Sequence, residues 1–114
     1  MRLQRSSTKP WVQGKGYRKR TVLDESELGI SGSFLQEVSF RKGDVVPIHH
    51  HRSQTEVFYA VTDAVFEING EKVIMAPGDV LVCEPGDRHG NPEIPYDMKI
   101  LVLKVGFLDD DTVW

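Results

Sequence analysis

From Tyr17 to the C-terminus no apolar run is longer than five residues, and turn-forming residues interrupt the chain every eight to twelve positions. That punctuation leaves no room for helices of ordinary length and is the pattern of an all-β sandwich or barrel. Strands are expected at 18–23, 33–40, 45–51, 56–62, 64–68, 71–76, 79–84 and 97–106. The one helical candidate is the stretch Asp24-Glu25-Ser26-Glu27-Leu28, a turn or two before Gly29. Residues 1–16, with Ser6-Ser7-Thr8, Pro10, Gly14 and Gly16, read as an extended basic arm. The expected organisation is therefore an arm over 1–16 and a single barrel domain over 17–114. A chain of 114 residues can bury roughly two thirds of its unfolded surface, enough for one core without disulfides.

The strongest local signal is Asn69-Gly70. A two-residue Asn-Gly loop favours a type I′ hairpin, because both positions need positive φ. The turn sets the register: Ile68 opposite Glu71, Glu67 opposite Lys72, Phe66 opposite Val73. Side chains alternate along a strand, so Phe66, Ile68, Val73 and Met75 share one face, the buried one. By contrast, Val57-Phe58-Tyr59-Ala60-Val61 does not alternate, so cover is expected on both sides. In a one-domain β-protein the second cover is the arm or another subunit, which predicts a homodimer.

Charge is divided unevenly. Residues 1–20 carry seven basic groups and no acid, whereas residues 21–114 carry seven basic and seventeen acidic groups, for a net charge of −3. A basic arm on an acidic body fits nucleic acid. With only Trp11 and Tyr17 interleaved, the expectation here is instead a tail that packs on acidic surface of its own chain or of a neighbouring subunit. A membrane helix needs about 20 apolar residues, so no membrane span is expected, and the N-terminus lacks the apolar stretch of a secretory signal. The single cysteine, Cys83, has no intrachain partner, which fits a cytoplasmic location.

All four histidines fall at His49, His50, His51 and His89. Residues two apart on a strand point to one face, so His49 and His51 project together and His50 points away. Their Cα atoms lie about 6.6 Å apart, close enough for both imidazoles to reach one ion. Arg52-Ser53-Gln54-Thr55 reads as a tight reversal that delivers Glu56 beside them. His89 follows a turn at Pro85-Gly86-Asp87-Arg88. A His-His-His run alone is more often a polar surface cluster than a metal site.

The surrounding spacing resembles the two motifs of the cupin superfamily of small β-barrels. The first has the form G(X)5HXH(X)3-4E(X)6G, and Gly43, His49, His51 and Glu56 occupy it in order, with Asp63 in place of the closing glycine. The second has the form G(X)5PXG(X)2H(X)3N, matched by Gly78, Gly86 and His89. Glu84 stands at its first proline position, with Pro85 one place later, and Glu93 at its closing asparagine position. The resemblance covers about residues 33–105. It implies a double-stranded β-helix, or jelly-roll barrel, with the arm extended from it. It also implies His49, His51, Glu56 and His89 as ligands of one divalent metal.

Three imidazoles and one carboxylate suit a transition metal, Fe, Mn, Ni, Co, Cu or Zn, rather than Ca or Mg. A 2+ ion beside one carboxylate attracts an anionic or enolisable oxygen ligand, and coordination positions left open by the protein are what catalysis uses. Glu56, if it dissociates from the ion, is the candidate catalytic base. Alternation puts Phe58 and Ala60 on the face of Glu56, and Val45 and Pro47 on the face of His49 and His51, giving an apolar pocket wall. Cys83 reads as core; Gln54 and Arg88, next to ligands in sequence, are placed to orient a carboxylate but read more readily as solvated loop residues. The resemblance implies a small metal-dependent enzyme of dioxygenase, lyase or isomerase type acting on a small oxygen-rich or anionic molecule, or alternatively a non-catalytic module binding a sugar or acid. No nucleophile elbow or phosphate loop is present; Gly14-Lys15-Gly16 is too short for one.

Overall fold

A computed structural model describes all 114 residues. Its strands are Val12–Gln13 (β1), Arg18–Leu23 (β2), Phe34–Phe40 (β3), Val46–His51 (β4), Thr55–Ala60 (β5), Ala64–Ile68 (β6), Glu71–Met75 (β7), Val80–Cys83 (β8), His89–Asn91 (β9), Met98–Val105 (β10) and Thr112–Val113 (β11). They form two antiparallel sheets, one ordered β1-β2-β3-β10-β5-β8 and the other β11-β4-β9-β6-β7. The architecture is an all-β jelly roll with one short helix, Glu25–Leu28 (α1). Asp24 and Glu27 close a capping box at its start, and Gly29, at φ 72°, ends it.

The eight expected strands all form, within two residues of their expected bounds. Strands β1, β9 and β11 were not anticipated. His89-Gly90-Asn91 carries no β-branched residue to mark a strand; pairing with β4 and β6 on either side makes it one. The β6–β7 hairpin has the expected register throughout. Asn69 and Gly70 sit at φ 50° and 81°, as a type I′ turn requires.

One turn device is used three times. In Arg41–Asp44, Ala76–Asp79 and Glu84–Asp87 the third residue is a glycine at φ near 90°. The closing aspartate accepts a hydrogen bond from the first residue's N–H. Its own N–H donates to the first residue's carbonyl. These are type II turns, which need glycine at the third position and favour proline at the second, where Pro77 and Pro85 stand. The motif glycines are thus turn residues that aim the strands carrying the site.

The inner face of the first sheet runs from apolar to polar. Phe40 pairs with Met98, and Val38 with Ile100 and Ala60; next come Gln36, Val102 and Phe58, and last Phe34, Lys104, Glu56 and Cys83. The apolar rows meet Val46, Ala64, Phe66 and Met75 of the second sheet in the hydrophobic core. Burying each such side chain contributes about 1.5–3 kcal/mol. The polar row is left to line a cavity at the opposite end.

One expectation needs correction, and one of two alternatives falls away. Val45 and Pro47 do not line the pocket: both are exposed, and Val46 is the buried residue. The β4–β9 pairing slips between Val46 and His49, and such a bulge reverses the alternation on its far side. The Val57–Val61 run is not covered by the arm either. Phe58 and Ala60 are buried, but Tyr59 and Val61 remain over 40% exposed. The arm lies elsewhere on its own chain. Lys9 Nζ donates to Glu27 Oε1 at 2.7 Å, and Trp11 sits beneath the guanidinium of Arg20, 4.4 Å from the ring centre. No helix is long and apolar enough to cross a membrane.

Candidate metal centre

Strands β4 and β9 are hydrogen-bonded neighbours, with His49 directly opposite His89. His51 follows two residues along β4, on the same face as His49. One ligating nitrogen from each of the three rings lies within 4.8 Å of the others. Nitrogens bound about 2.1 Å from a shared ion lie within about 4.2 Å of one another, so small side-chain adjustments complete a shell.

Each ring is held by an oxygen on its Nδ1. His49 Nδ1 is 2.8 Å from the Pro47 carbonyl, His89 Nδ1 is 2.9 Å from the Asp87 carbonyl, and His51 Nδ1 is 3.1 Å from Thr112 Oγ1. Such outer partners fix the tautomer and point Nε2 at a metal. The Nε2 atoms of His51 and His89 are buried and make no well-formed hydrogen bond. An unsatisfied buried nitrogen is costly, and coordination is what would satisfy these two. The three histidines are thus positioned to bind a metal, as the sequence indicated. His50 lies outside the cluster, opposite Val113 of β11.

Glu56, on β5 of the other sheet, brings Oε1 into contact with His51 Nε2 and to 3.8 Å from His89 Nε2. It is nearly fully buried. Burial alone would push its carboxyl up; the contacts to His51 and His89 and the positive charge of Lys104 outweigh that and hold it well below the carboxylate range. His49 is pushed down to about 4, chiefly by burial and further by the neighbouring rings, against the pull of the Pro47 carbonyl. It is therefore a neutral imidazole at physiological pH, the form that ligates. Burial lowers His89 as well, but the Glu56 carboxylate beside it raises it overall.

Gln54 is almost fully buried, not solvated as the sequence suggested. Its Nε2 donates to Glu56 Oε1 at 3.4 Å, and its backbone N–H donates to Asp111 Oδ2 at 3.0 Å. Arg88 is exposed, as expected. Cys83 is buried core opposite Glu56 on the sheet, and burial with the nearby Glu56 charge pushes its thiol up to about 12.

The site opens into a cavity of about 240 Å3. This is below the roughly 300–1,000 Å3 of drug-sized pockets, so it suits a small molecule. Sequence reasoning missed the C-terminal contribution: Thr112 on His51, and Trp114, whose ring centre lies 4.6 Å from that of His49. It also missed Tyr17, Lys19 and Lys104 in the wall. Lys104 continues the inward series Met98, Ile100 and Val102 on β10, a readable signal, whereas Lys19 shares its face of β2 with Thr21 and gives none. Nothing in the spacing pointed to Thr112.

A family model of the cupin domain matches residues 36–103, which contain all three histidines and Glu56. The chain is a cupin. This cupin is 28% identical over 76 residues to the tetracenomycin polyketide synthase protein TcmJ of Streptomyces glaucescens, a match covering 66% of this chain. The chain spans about half, 51%, of that relative's length. Among solved structures it resembles KdgF from a Halomonas species, with a TM-score of 0.75 at 23% identity over 96% of this chain and 97% of that one. It also resembles a predicted oxalate decarboxylase from Thermotoga maritima, with a TM-score of 0.76 at 20% identity over 93% of this chain and 100% of that one. Both likenesses are of fold.

Proposed function

We propose that this cupin is a small metal-dependent enzyme in which His49, His51, His89 and Glu56 hold one divalent transition metal, Fe, Mn, Ni, Co, Cu or Zn. It acts on a small oxygen-rich or anionic molecule by dioxygenase, lyase or isomerase chemistry. The observation that carries this is the oxygen partner on each Nδ1, which leaves the other nitrogen of each ring to face one point beside the Glu56 carboxylate. The metal would supply a Lewis acid that polarises a bound oxygen. The chain's residues do the rest: Phe58 and Phe66 exclude water from the wall, Trp114 packs on His49 at the rim, and Glu56, if it leaves the ion, offers a carboxylate to receive a substrate proton.

The predicted oxalate decarboxylase among the structures of similar fold favours turnover over a non-catalytic sugar- or acid-binding role, the second reading. The test is to purify the protein, load Fe(II) without oxygen, and follow oxygen uptake and product formation with diketones, catechols and keto acids. Turnover with any of them, lost in His89→Ala, is the expected result. Tight binding without turnover across the panel would select the binding module.

The outer face of the first sheet favours a homodimer. Tyr59, Val80, Val82, Leu103 and Val105 are all exposed there on adjacent strands, and the arm leaves them open. A second copy of the chain would give the Val57–Val61 run its second cover. A strictly monomeric sedimentation profile at micromolar concentration would refute this.

A further inference from the structure

Three charged side chains line the cavity: Glu56, Lys19 and Lys104. Residues 21–114 carry ten more acids than bases, yet the cavity has the reverse balance. Lys104 stands on β10 directly opposite Glu56, and Lys19 on β2 opposite Val38, both on the inner face of the first sheet. Lysines that only shield an apolar wall keep their ammonium groups in water. These two are half-buried and line the cavity.

Neither ammonium has an ion-pair partner, although Lys9 and Lys99 elsewhere on the chain do. Glu56, the one acid present, is already in contact with His51. Burial and the charge of Lys104 hold Lys19 below its ordinary range, with Glu56 offsetting only part, so the two cations repel each other across the cavity. Tyr17 and Gln36 stand in the same wall and can hydrogen-bond an oxygen held between them. The Glu56 carboxylate and the Phe107 ring, 5.6 Å from Lys104 Nζ, answer these charges only in part, and a neutral sugar would add nothing to them.

We propose that Lys19 and Lys104 form an anion subsite beside the metal centre, and that the cavity takes a small dicarboxylate with one end on the metal and the other at the ammonium groups. The metal end rests on the function proposed above; the lysine end does not.

The test is calorimetric titration of zinc-loaded and metal-free protein with acetate, oxalate, malonate, succinate and glutarate, with zinc stoichiometry measured on the same samples. At least one dicarboxylate should bind the loaded protein ten times more tightly than acetate, or better, because a hydrogen-bonded charge pair is worth that much. Lys19→Gln and Lys104→Gln should each erase about tenfold of that advantage, read as the dicarboxylate-to-acetate ratio within each variant, while zinc stoichiometry and melting temperature stay as in wild type. Lys104→Arg should retain it. In metal-free protein the dicarboxylates should bind more weakly but with the same lysine dependence. That pattern separates the two ideas: failure to load zinc would sink the metal reading, and lysine dependence without metal would still support the subsite. Equal binding of all five acids, or dicarboxylate affinity unchanged in both glutamine variants, would overturn the proposal. Tighter lysine-dependent binding of inorganic phosphate than of any dicarboxylate would overturn the dicarboxylate assignment.

Discussion

Gly90, between His89 and Asn91 on β9, offers a sharp test of how the two histidine-bearing strands are held. A Cβ added there would lie 2.8 Å from the Val46 carbonyl oxygen, 2.9 Å from the Pro47 carbonyl oxygen and 3.0 Å from the Pro47 carbonyl carbon. All three are backbone atoms, so no side chain can swing aside. Restoring an ordinary contact in Gly90→Ala requires β4 and β9 to part by about 0.6 Å, an overpacking change that costs about 1–3 kcal/mol. For a domain near this size each kcal/mol lowers the melting temperature by about 4–8 °C. The metal centre should suffer more than the fold, because ligand distances tolerate only about 0.2 Å and the Pro47 carbonyl that moves also orients His49. Gly90→Ala is therefore expected to melt at least 4 °C below wild type without metal and to bind zinc at least about tenfold more weakly. Melting curves of chelator-treated protein and competition titration with a zinc dye read the two effects. A variant that melts within 1 °C of wild type and binds zinc equally well would refute the close approach of β4 and β9.

Thr112→Val removes the oxygen that orients His51 while keeping the shape of the side chain, so zinc affinity should fall about 10–100-fold with little change in the melting temperature of the metal-free protein; unchanged affinity would detach β11 from the site. In metal-free protein the His49 imidazole resists protonation down to about 4, whereas in the unfolded chain it protonates near 6.5. Its contribution to stability is present above pH 6.5 and is lost as the pH falls towards 4. His89, raised by Glu56, works in the opposite direction, so the readout is the difference between wild type and His49→Asn: stability should decline less between pH 6.5 and 4 in the variant, and parallel pH profiles would contradict the burial of His49.

Much of this was legible in the residues because local physics settled it. Asn69-Gly70 dictates a turn with two positive φ angles, and that turn alone fixes the pairing of ten hairpin residues. The repeat of two on β4 put His49 and His51 on one face. What escaped notice depended on strands meeting from far along the chain. The bulge between Val46 and His49 arises where β4 meets β9; Pro47, which cannot donate to a ladder, is its one local sign, and strict alternation through it assigns the wrong neighbours to the pocket. Gln54 looked like a loop residue; it is buried because Asp111, some sixty positions away, accepts hydrogen bonds from the Ser53 and Gln54 amides. Thr112 reaches His51 only because the C-terminal segment returns to pair with β4.

The central claim is that three imidazoles from two neighbouring strands and one carboxylate from the facing sheet gather on a single ion. X-ray absorption of the cobalt-substituted protein reads that shell directly. One cobalt per chain is expected, bound by three imidazole nitrogens and at least one oxygen, with one nitrogen lost in His89→Ala and protein oxygen lost in Glu56→Ala. A sulfur ligand from Cys83, fewer than three imidazoles, or a spectrum unchanged by His89→Ala would contradict it.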